Sequence, residues 1–307
     1  MLILSASTAC TAQHKNQTMK NSISPYEFPS KTIALKGGEL SYIKEGQGKP
    51  TIIFLHGLSS NGDAWSKNIT ELKKDYTCIA VDLPGFGRSY KTAKEFTPTY
   101  FAEVLKEFVD RQNIKNFVLV GHSMGGQASI KFAKKFPNLV SKLILVAPAG
   151  IEEFNEVEST TLKNFTTKAY VQNTTDEQID KNYSINFFKT PDGVDKMIKD
   201  RKAIKDASDF EAHALAIEKS VKGMLDDKVI ADIKEIKQPV LLLFAENDML
   251  IPNRFLHPNL STKDIAEKAQ TEFKNSKLVI IPESGHFLQF EKPAEINKNI
   301  TEFIKSR

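Results

Sequence analysis

The residues best suited to catalysis start with a serine inside the segment 121–125, which reads Gly-His-Ser-Met-Gly. This G-x-S-x-G pattern directly follows the apolar run 117–120 and precedes a helical stretch at 127–136. A sharp strand-to-helix turn needs small neighbours, which the glycines supply, and it exposes the serine hydroxyl at a helix N-terminus. Free N–H groups and the helix dipole favour a developing negative charge there. Ser123 is therefore the candidate nucleophile.

A serine hydroxyl is a weak nucleophile near neutral pH and needs a positioned base. Of the six histidines, His286 follows the last apolar run, 277–281. Loops after the carboxyl ends of parallel strands form the active-site crevice, so His286 is the candidate base. His56 and His122 adjoin glycines in tight turns, where structural roles are commoner. Of the others, His14 lies in the N-terminal tail, His213 on a polar helical stretch and His257 in a loop.

The acid that orients the base should come from another such loop, before the histidine in chain order. The apolar run 240–244 is followed by a loop that contains both Glu246 and Asp248, and either carboxylate qualifies by position.

An oxyanion hole is expected from two backbone N–H groups. His56 and Gly57 follow the apolar run 51–55, and a close-approach glycine there lets the next N–H face the serine. The backbone N–H groups of Leu58 and Met124 are the candidates for this role.

The elements that position these residues alternate between strand and helix. After a short hairpin at 31–43, apolar strands alternate with helical stretches up to Gly150, and the rhythm resumes at Pro239. This alternation predicts an α/β fold, a mostly parallel, doubly wound sheet with helices on both faces. The segment 151–236 has no convincing apolar strand and is predicted as a helical insertion. The sheet core is then assigned to 31–150 and 237–307.

Composition narrows the class of protein. The 307 residues are 40% hydrophobic and 26% charged, as in ordinary soluble domains. The net charge of +4 comes from lysines interleaved with acids, which is not the pattern of a nucleic-acid surface. No stretch reaches the length of a membrane span. Cys78 is expected to be a buried thiol, and neither a disulfide framework nor a metal-binding spacing is present. No metal or cofactor is predicted.

The first 30 residues read as a signal-like or disordered segment. A short apolar stretch leads into small residues that end at Cys10, which weakly resembles a lipoprotein processing site. We therefore favour export over a cytoplasmic location, with a possible lipid anchor at Cys10. Residues 12–30 are expected to be a polar linker.

Together these landmarks resemble the α/β-hydrolases, in the broad group that includes esterases, cofactor-free haloperoxidases and C–C bond hydrolases. The matching segments occur in the family's order and are His56-Gly57, residues 82–89, residues 121–126, Asn247-Asp248 and Gly285-His286. The resemblance implies an α/β-hydrolase fold over 31–307, with the insertion as a helical cap. It also implies that Asp248 rather than Glu246 is the acid and that residues 82–89 form a structural turn. Residues 253–268 depart from the pattern by lengthening a loop that can reshape the pocket.

The sequence leaves the substrate open. We expect the substrate to be a small molecule, namely a small to medium, apolar carboxylic ester. Five phenylalanines of the insertion are candidates for an apolar pocket ceiling: Phe154, Phe165, Phe187, Phe188 and Phe210. The alternative is a C–C bond hydrolase acting on a vinylogous diketone acid. That branch resembles this chain in the aromatic Phe287 after the histidine and in a cap arginine, here Arg201. A third possibility is a ligand-binding module without turnover.

Overall fold

The computed structural model describes residues 17–306, which are organised around an eight-stranded sheet. In chain order the strands are β1 (Ser30–Leu35), β2 (Gly38–Glu45), β3 (Thr51–Leu55), β4 (Thr77–Val81), β5 (Phe117–His122), β6 (Val140–Val146), β7 (Val240–Ala245) and β8 (Ser276–Ile281). Their order across the sheet is β1-β2-β4-β3-β5-β6-β7-β8. The pairs β1–β2 and β2–β4 are antiparallel, and every other pair is parallel.

Helices surround the sheet and fill the predicted insertion. They are α1 (Met19–Ser22), α2 (Ser66–Leu72), α3 (Pro98–Arg111), α4 (Met124–Lys135), α5 (Glu156–Phe165), α6 (Lys168–Asn173), α7 (Asp176–Ser184), α8 (Val194–Ala203), α9 (Phe210–Asp226), α10 (Ile230–Ile233), α11 (Thr262–Glu272), α12 (Leu288–Glu291) and α13 (Pro293–Lys305). Short 3₁₀ turns occur at Gly62–Trp65, Pro137–Leu139 and Ile204–Asp206. Among these described helices, none combines the length and the apolar character needed to cross a bilayer.

The sheet is buried on both faces, as its continuous apolar runs require. On β5, Leu119 belongs to a core cluster that includes Phe101 of α3 and Phe132 of α4. The neighbouring Val118 belongs to the opposite cluster, with Trp65 and with Ile300 of α13. Alternate residues of one strand therefore anchor helices on both sides, which confirms the doubly wound, mostly parallel sheet.

The segment between β6 and β7 contains helices α5 to α10 and no strand among its described residues. We call residues 151–236 the insertion. The predicted helical stretches near 193–204 and 211–223 correspond to α8 and α9. Helices α5 to α7 were not predicted, since they are short and polar. Each begins with a side-chain cap, from Asn155, Thr167 and Thr175 respectively.

The predicted loop extension at 253–268 is partly helical, because α11 begins inside it. Ser261 and Asp264 form a capping box, each accepting a hydrogen bond from the other's backbone N–H. Reciprocal capping of this kind satisfies two N–H groups that a helix terminus leaves unpaired. Among the buried residues of α11, only Ile265 is a large apolar residue, so the sequence shows no clear apolar stripe.

The prediction of a polar linker is wrong for residues 17–30. Met19 is 2% exposed, and its backbone N–H donates to Asp209 of the insertion at 2.7 Å. Ser24 donates to Asp200, also in the insertion, through both its N–H and its hydroxyl. Three buried apolar side chains in this segment and several long-range hydrogen bonds outweigh the polar composition. The predicted signal-like start and Cys10 lie outside the described residues.

The turn at residues 82–89 holds the same segment from the core side. The buried carboxylate of Asp82 accepts hydrogen bonds from Tyr26 Oη at 2.9 Å, from Arg88 N at 2.8 Å and from Gly62 N at 2.7 Å. One carboxylate therefore joins the turn, a neighbouring loop and the N-terminal segment. The other cysteine, Cys78, is fully buried on β4, and burial raises the pKa of its thiol to about 12.

Candidate active site

Ser123 lies at the turn between β5 and α4 with a strained backbone. Its φ of 51° and ψ of −118° fall where non-glycine residues rarely lie, a conformation that costs on the order of 1–3 kcal/mol. Its N–H donates to Val146 O on β6, and its carbonyl accepts from Gln127 N and Ala149 N. Gly125 has to be glycine because a Cβ there would lie 2.5 Å from the His56 carbonyl oxygen. The neighbouring strands therefore hold Ser123 at the carboxyl end of the sheet.

Asp248 and His286 are brought together from the loops after β7 and β8. His286 Nδ1 lies 2.8 Å from Asp248 Oδ2, with Asp248 fully buried and His286 4% exposed. Because a carboxylate only accepts, the ring donates its Nδ1–H, and Nε2 of the neutral ring carries the lone pair. Glu246, the alternative acid, is exposed, and its carboxylate accepts instead from the Glu283 backbone N–H.

The loop after Asp248 fixes the second oxygen of that carboxylate. Asp248 Oδ1 accepts from Leu250 N at 2.7 Å and from Ile251 N at 3.0 Å. Arg254 closes the loop by donating from Nη2 to the Asp248 carbonyl at 2.8 Å and from Nη1 to the Leu260 carbonyl. With Oδ1 held by two backbone N–H groups, Asp248 presents Oδ2 to the histidine.

The two candidate oxyanion-hole groups follow Gly57 and Ser123 in sequence, and both of these residues line the cavity. Leu58 lines a cavity with Gly57 and Ser123, and Met124 is the first residue of α4. Among residues 17–306, neither the Leu58 nor the Met124 backbone N–H donates to another protein group. A Cβ at Gly57 would lie 3.2 Å from Ser123 Cβ, so glycine permits the close approach that the sequence predicted. Both N–H groups thus lack an acceptor among the described residues, as an oxyanion hole requires.

Ser123 and His286 both line a cavity of about 550 Å³ between the sheet and the insertion. Its walls are mostly apolar and include Phe154, Leu162, Val221, Met224, Leu225, Ile230, Leu250, Ile251 and Phe287. Of the five phenylalanines considered for the ceiling, only Phe154 belongs to this wall. Phe187 and Phe210 are buried elsewhere, and Phe165 and Phe188 are exposed.

The loop that carries His286 is held by contacts that sequence reasoning missed. Phe287 N donates to the Asn186 carbonyl at 3.0 Å, and His122 Nε2 donates to the His286 carbonyl at 2.9 Å. Burial, and then the neighbouring His286, lower the pKa of His122 well below its usual range, so the His122 ring is neutral. The sequence suggested only a structural role for His122. Its link to His286 requires the tertiary fold.

Glu291 ties the same loop to the insertion. Its carboxylate accepts from Gly285 N at 2.7 Å, Lys189 N at 2.6 Å and Phe188 N at 3.2 Å. Three backbone donors from two separate segments therefore converge on one side chain. No local motif marks this glutamate in the sequence.

We expect Glu291→Ala to lower kcat for a short ester about 10-fold, because small displacements of a catalytic group are costly. The variant would leave three backbone N–H groups unpaired and loosen the segment before His286. The measurement is the kcat for p-nitrophenyl acetate, with the melting temperature recorded in parallel. Glu295→Ala is the matched control, since Glu295 is exposed in the first turn of α13. Equal kcat values in the two variants would rule out a positioning role.

Glu152 forms another part of the cavity wall that the sequence did not reveal. It is 8% exposed, accepts from Asn253 N at 2.9 Å and is paired with His257 Nδ1. Phe154 stacks on the His257 ring with 5.3 Å between centroids. Burial raises the pKa of Glu152, whereas its hydrogen bond to His257 acts in the opposite direction. These contacts join the start of the insertion to the loop that follows Asp248.

The two predicted substrate-contact residues lie in different places. Phe287 lines the cavity beside His286, with its ring centroid 4.8 Å from that of His122. Arg201 lines a neighbouring cavity instead, where its guanidinium lies 5.3 Å from the Phe210 ring centroid. The structure therefore places Phe287, but not Arg201, on the wall shared with Ser123.

Comparison with known proteins agrees with this architecture. A family model described as alpha/beta hydrolase fold matches residues 50–293. An uncharacterised hydrolase, YugF, of Bacillus subtilis is 27% identical over 284 residues, which cover 85% of this chain and 92% of YugF. A 2-hydroxy-6-oxononadienedioate/2-hydroxy-6-oxononatrienedioate hydrolase of Escherichia coli is 27% identical over 268 residues, covering 84% of this chain and 88% of that protein.

A solved structure has the same fold. The crystal structure of a probable hydrolytic enzyme from Pseudomonas aeruginosa superposes with a TM-score of 0.82. It is 21% identical in sequence, and the match covers 96% of this chain and 100% of the other. At this level of identity the similarity establishes the common fold and leaves the substrate open.

Proposed function

Since this chain belongs to the α/β-hydrolase fold family, we propose that it is a serine hydrolase that cleaves carboxylic esters of small to medium, apolar molecules through an acyl-enzyme. One observation carries the proposal. The strained Ser123 and His286, which is paired with Asp248, line a single cavity, and the N–H groups of Leu58 and Met124 have no acceptor within residues 17–306.

In the proposed reaction, His286 Nε2 takes the proton of Ser123 Oγ as that oxygen attacks the ester carbonyl carbon. The carbonyl oxygen becomes an oxyanion that accepts hydrogen bonds from the Leu58 and Met124 N–H groups. Asp248 holds the required tautomer of His286 and stabilises the imidazolium. The imidazolium then protonates the leaving alkoxide, and the acyl group stays on Ser123.

Deacylation repeats the same steps with water. His286 removes a proton from the water, hydroxide adds to the acyl carbon, and the carboxylic acid leaves as Ser123 regains its proton. Each step uses only groups of the chain and solvent. The mostly apolar cavity wall favours apolar substituents on the ester, because burying them removes apolar surface from water.

A second candidate is hydrolysis of a C–C bond in a vinylogous diketone acid. The 27% identity to the Escherichia coli hydrolase favours it, as does the aromatic Phe287 after the histidine. Arg201 would have to hold the substrate carboxylate, yet it lines the neighbouring cavity rather than the one with Ser123. The C–C reaction therefore requires a substrate that also enters the neighbouring cavity, whereas the ester reaction needs only the cavity with Ser123, and we rank ester hydrolysis first.

A panel of p-nitrophenyl esters of increasing acyl length, assayed beside one ring-fission product, tests the ranking of ester hydrolysis above C–C bond hydrolysis. We expect ester hydrolysis at every acyl length that the cavity accommodates, and at most slow C–C cleavage. We also expect Arg201→Ala to change kcat/KM for the acetate ester by less than about 3-fold, because an acetyl group stays in the cavity beside Ser123. Rapid C–C cleavage that collapses in Arg201→Ala, with negligible ester hydrolysis, would reverse the ranking.

A non-catalytic ligand-binding module is the alternative from another class, since one fold serves many functions. A fluorophosphonate distinguishes the two, because it modifies only a serine that a base has activated. Covalent labelling of Ser123 at neutral pH supports the enzyme. A folded protein without any adduct supports the binding module.

A further inference from the structure

A second cavity of about 510 Å³ adjoins the one that contains Ser123. We call it the distal chamber. The two spaces share five wall residues, which are Leu58, Thr166, Asn182, Asn186 and Phe287. Met19 and Ile23 of the N-terminal segment form part of its apolar wall. A space of similar size therefore adjoins the cavity that contains Ser123, with Leu58 and Phe287 on the wall that the two spaces share.

His213 is a wall residue of the distal chamber, and its second nitrogen has no partner within the described part of the chain. The residue is 2% exposed on α9, and its Nδ1 lies 2.8 Å from the Gly85 carbonyl oxygen. A carbonyl only accepts, so Nδ1 carries the hydrogen. Burial lowers the pKa of His213 to about 3, which keeps the ring neutral. Its Nε2 therefore presents a lone pair, and this buried atom accepts no hydrogen bond from any described residue.

Two polar residues that can donate hydrogen bonds, Arg201 and Tyr183, belong to the same wall. Arg201 Nη1 is buried without an acceptor, and no ion pair among residues 17–306 includes Arg201. Burial lowers the pKa of Arg201 and raises that of Tyr183 to about 12, so the phenol stays protonated. The two aspartates of this wall already have partners. Asp63 pairs with Lys196, and Asp200 accepts from Ser24.

The chamber thus offers an acceptor at His213 beside donors at Arg201 and Tyr183. A carboxylate could accept a hydrogen bond from Arg201. It has no hydrogen to donate to His213 Nε2, so its oxygen lone pairs would repel the lone pair of that nitrogen. A hydroxyl donates one hydrogen bond and accepts others, so it suits all three groups. A ligand that leaves this buried acceptor unpaired loses binding free energy. The chamber should therefore bind a hydroxyl in preference to a methyl or a carboxylate.

We propose that the distal chamber binds a hydroxyl group at the far end of the ester substrate, with His213 Nε2 as its acceptor and Arg201 as a neighbouring donor. This inference rests on the proposed ester hydrolysis and specifies the substrate as a hydroxylated ester. His213 acts here as a residue that determines specificity, remote from the bond that is cleaved.

The test uses straight-chain acyl p-nitrophenyl esters of increasing length, each ending in a methyl, a hydroxyl or a carboxylate. Once the chain is long enough to reach the distal chamber, we expect the hydroxyl form to exceed both others in kcat/KM on the order of 10-fold. In His213→Phe this hydroxyl-to-methyl ratio should fall to about one. The ratio within each variant cancels any general loss of activity. Glu211→Gln, on the exposed side of α9, is the control and should keep the ratio.

The outcomes separate the two proposals. If no ester is hydrolysed in a Ser123-dependent way, the proposed function itself fails. If esters are cleaved but the wild type shows no hydroxyl preference at any length, only the distal-chamber inference is overturned, even where His213→Phe does not fold. A carboxylate preference that disappears in Arg201→Met would likewise overturn it, because Arg201 alone would then govern binding.

Discussion

Replacing Ser123 with alanine is expected to lower kcat/KM for p-nitrophenyl esters by about three orders of magnitude or more. The hydroxyl is the proposed nucleophile, and removing one member of such a triad abolishes most of the rate that the group provides as a unit. Alanine retains the Cβ and fits the same backbone, so the sheet and the Asp248–His286 pair should persist. Steady-state kinetics and circular dichroism on the same preparation measure both expectations.

Ser184→Ala is the matched control for this experiment. Ser184 is exposed at the end of α7, where its hydroxyl donates to the Lys181 carbonyl, and it does not line the cavity that contains Ser123. Its replacement should leave the kinetics within about 2-fold and preserve fluorophosphonate labelling, whereas Ser123→Ala should lose the label. Ester hydrolysis that survives both Ser123→Ala and His286→Ala would refute the serine mechanism.

The central elements were predictable because a parallel sheet converts chain order into position. Strands buried on both faces appear as continuous apolar runs, and their carboxyl ends meet at one edge. For that reason the loops containing Ser123, Asp248 and His286 could be expected at a common crevice before any distance was known. The strand Thr51–Leu55 was predicted to the residue for the same reason.

What the sequence did not reveal depends on contacts between distant segments. Glu291 resembles any other helix-end glutamate until Gly285 and Lys189 converge on it. His213 lies on a stretch that looked polar, yet packing against Phe86 and Phe210 buries it. Met19 gives no periodic signal, because a single buried side chain has no pattern. Such residues are positioned by tertiary structure alone.

Asp248 and Glu246 provide a further comparison with a large expected effect. In Asp248→Asn the amide oxygen can still accept from Leu250 N and Ile251 N, while the amide nitrogen faces His286. A donor at that place forces Nδ1 to accept, which moves the ring hydrogen to Nε2. The base then has no lone pair for Ser123, and we expect kcat to fall by about three to four orders of magnitude.

Glu246→Gln removes the charge of the other carboxylate in the same loop and keeps an oxygen that can accept from Glu283 N. Because Glu246 is exposed and does not contact His286, its replacement should change kcat less than about 3-fold. The two substituted residues lie two positions apart in the same loop, so general damage to the loop would affect both variants. The decisive measurement is the ratio of their kcat values for one short ester at neutral pH. A similar loss in both, or a larger loss in Glu246→Gln, would show that Asp248 does not orient the base.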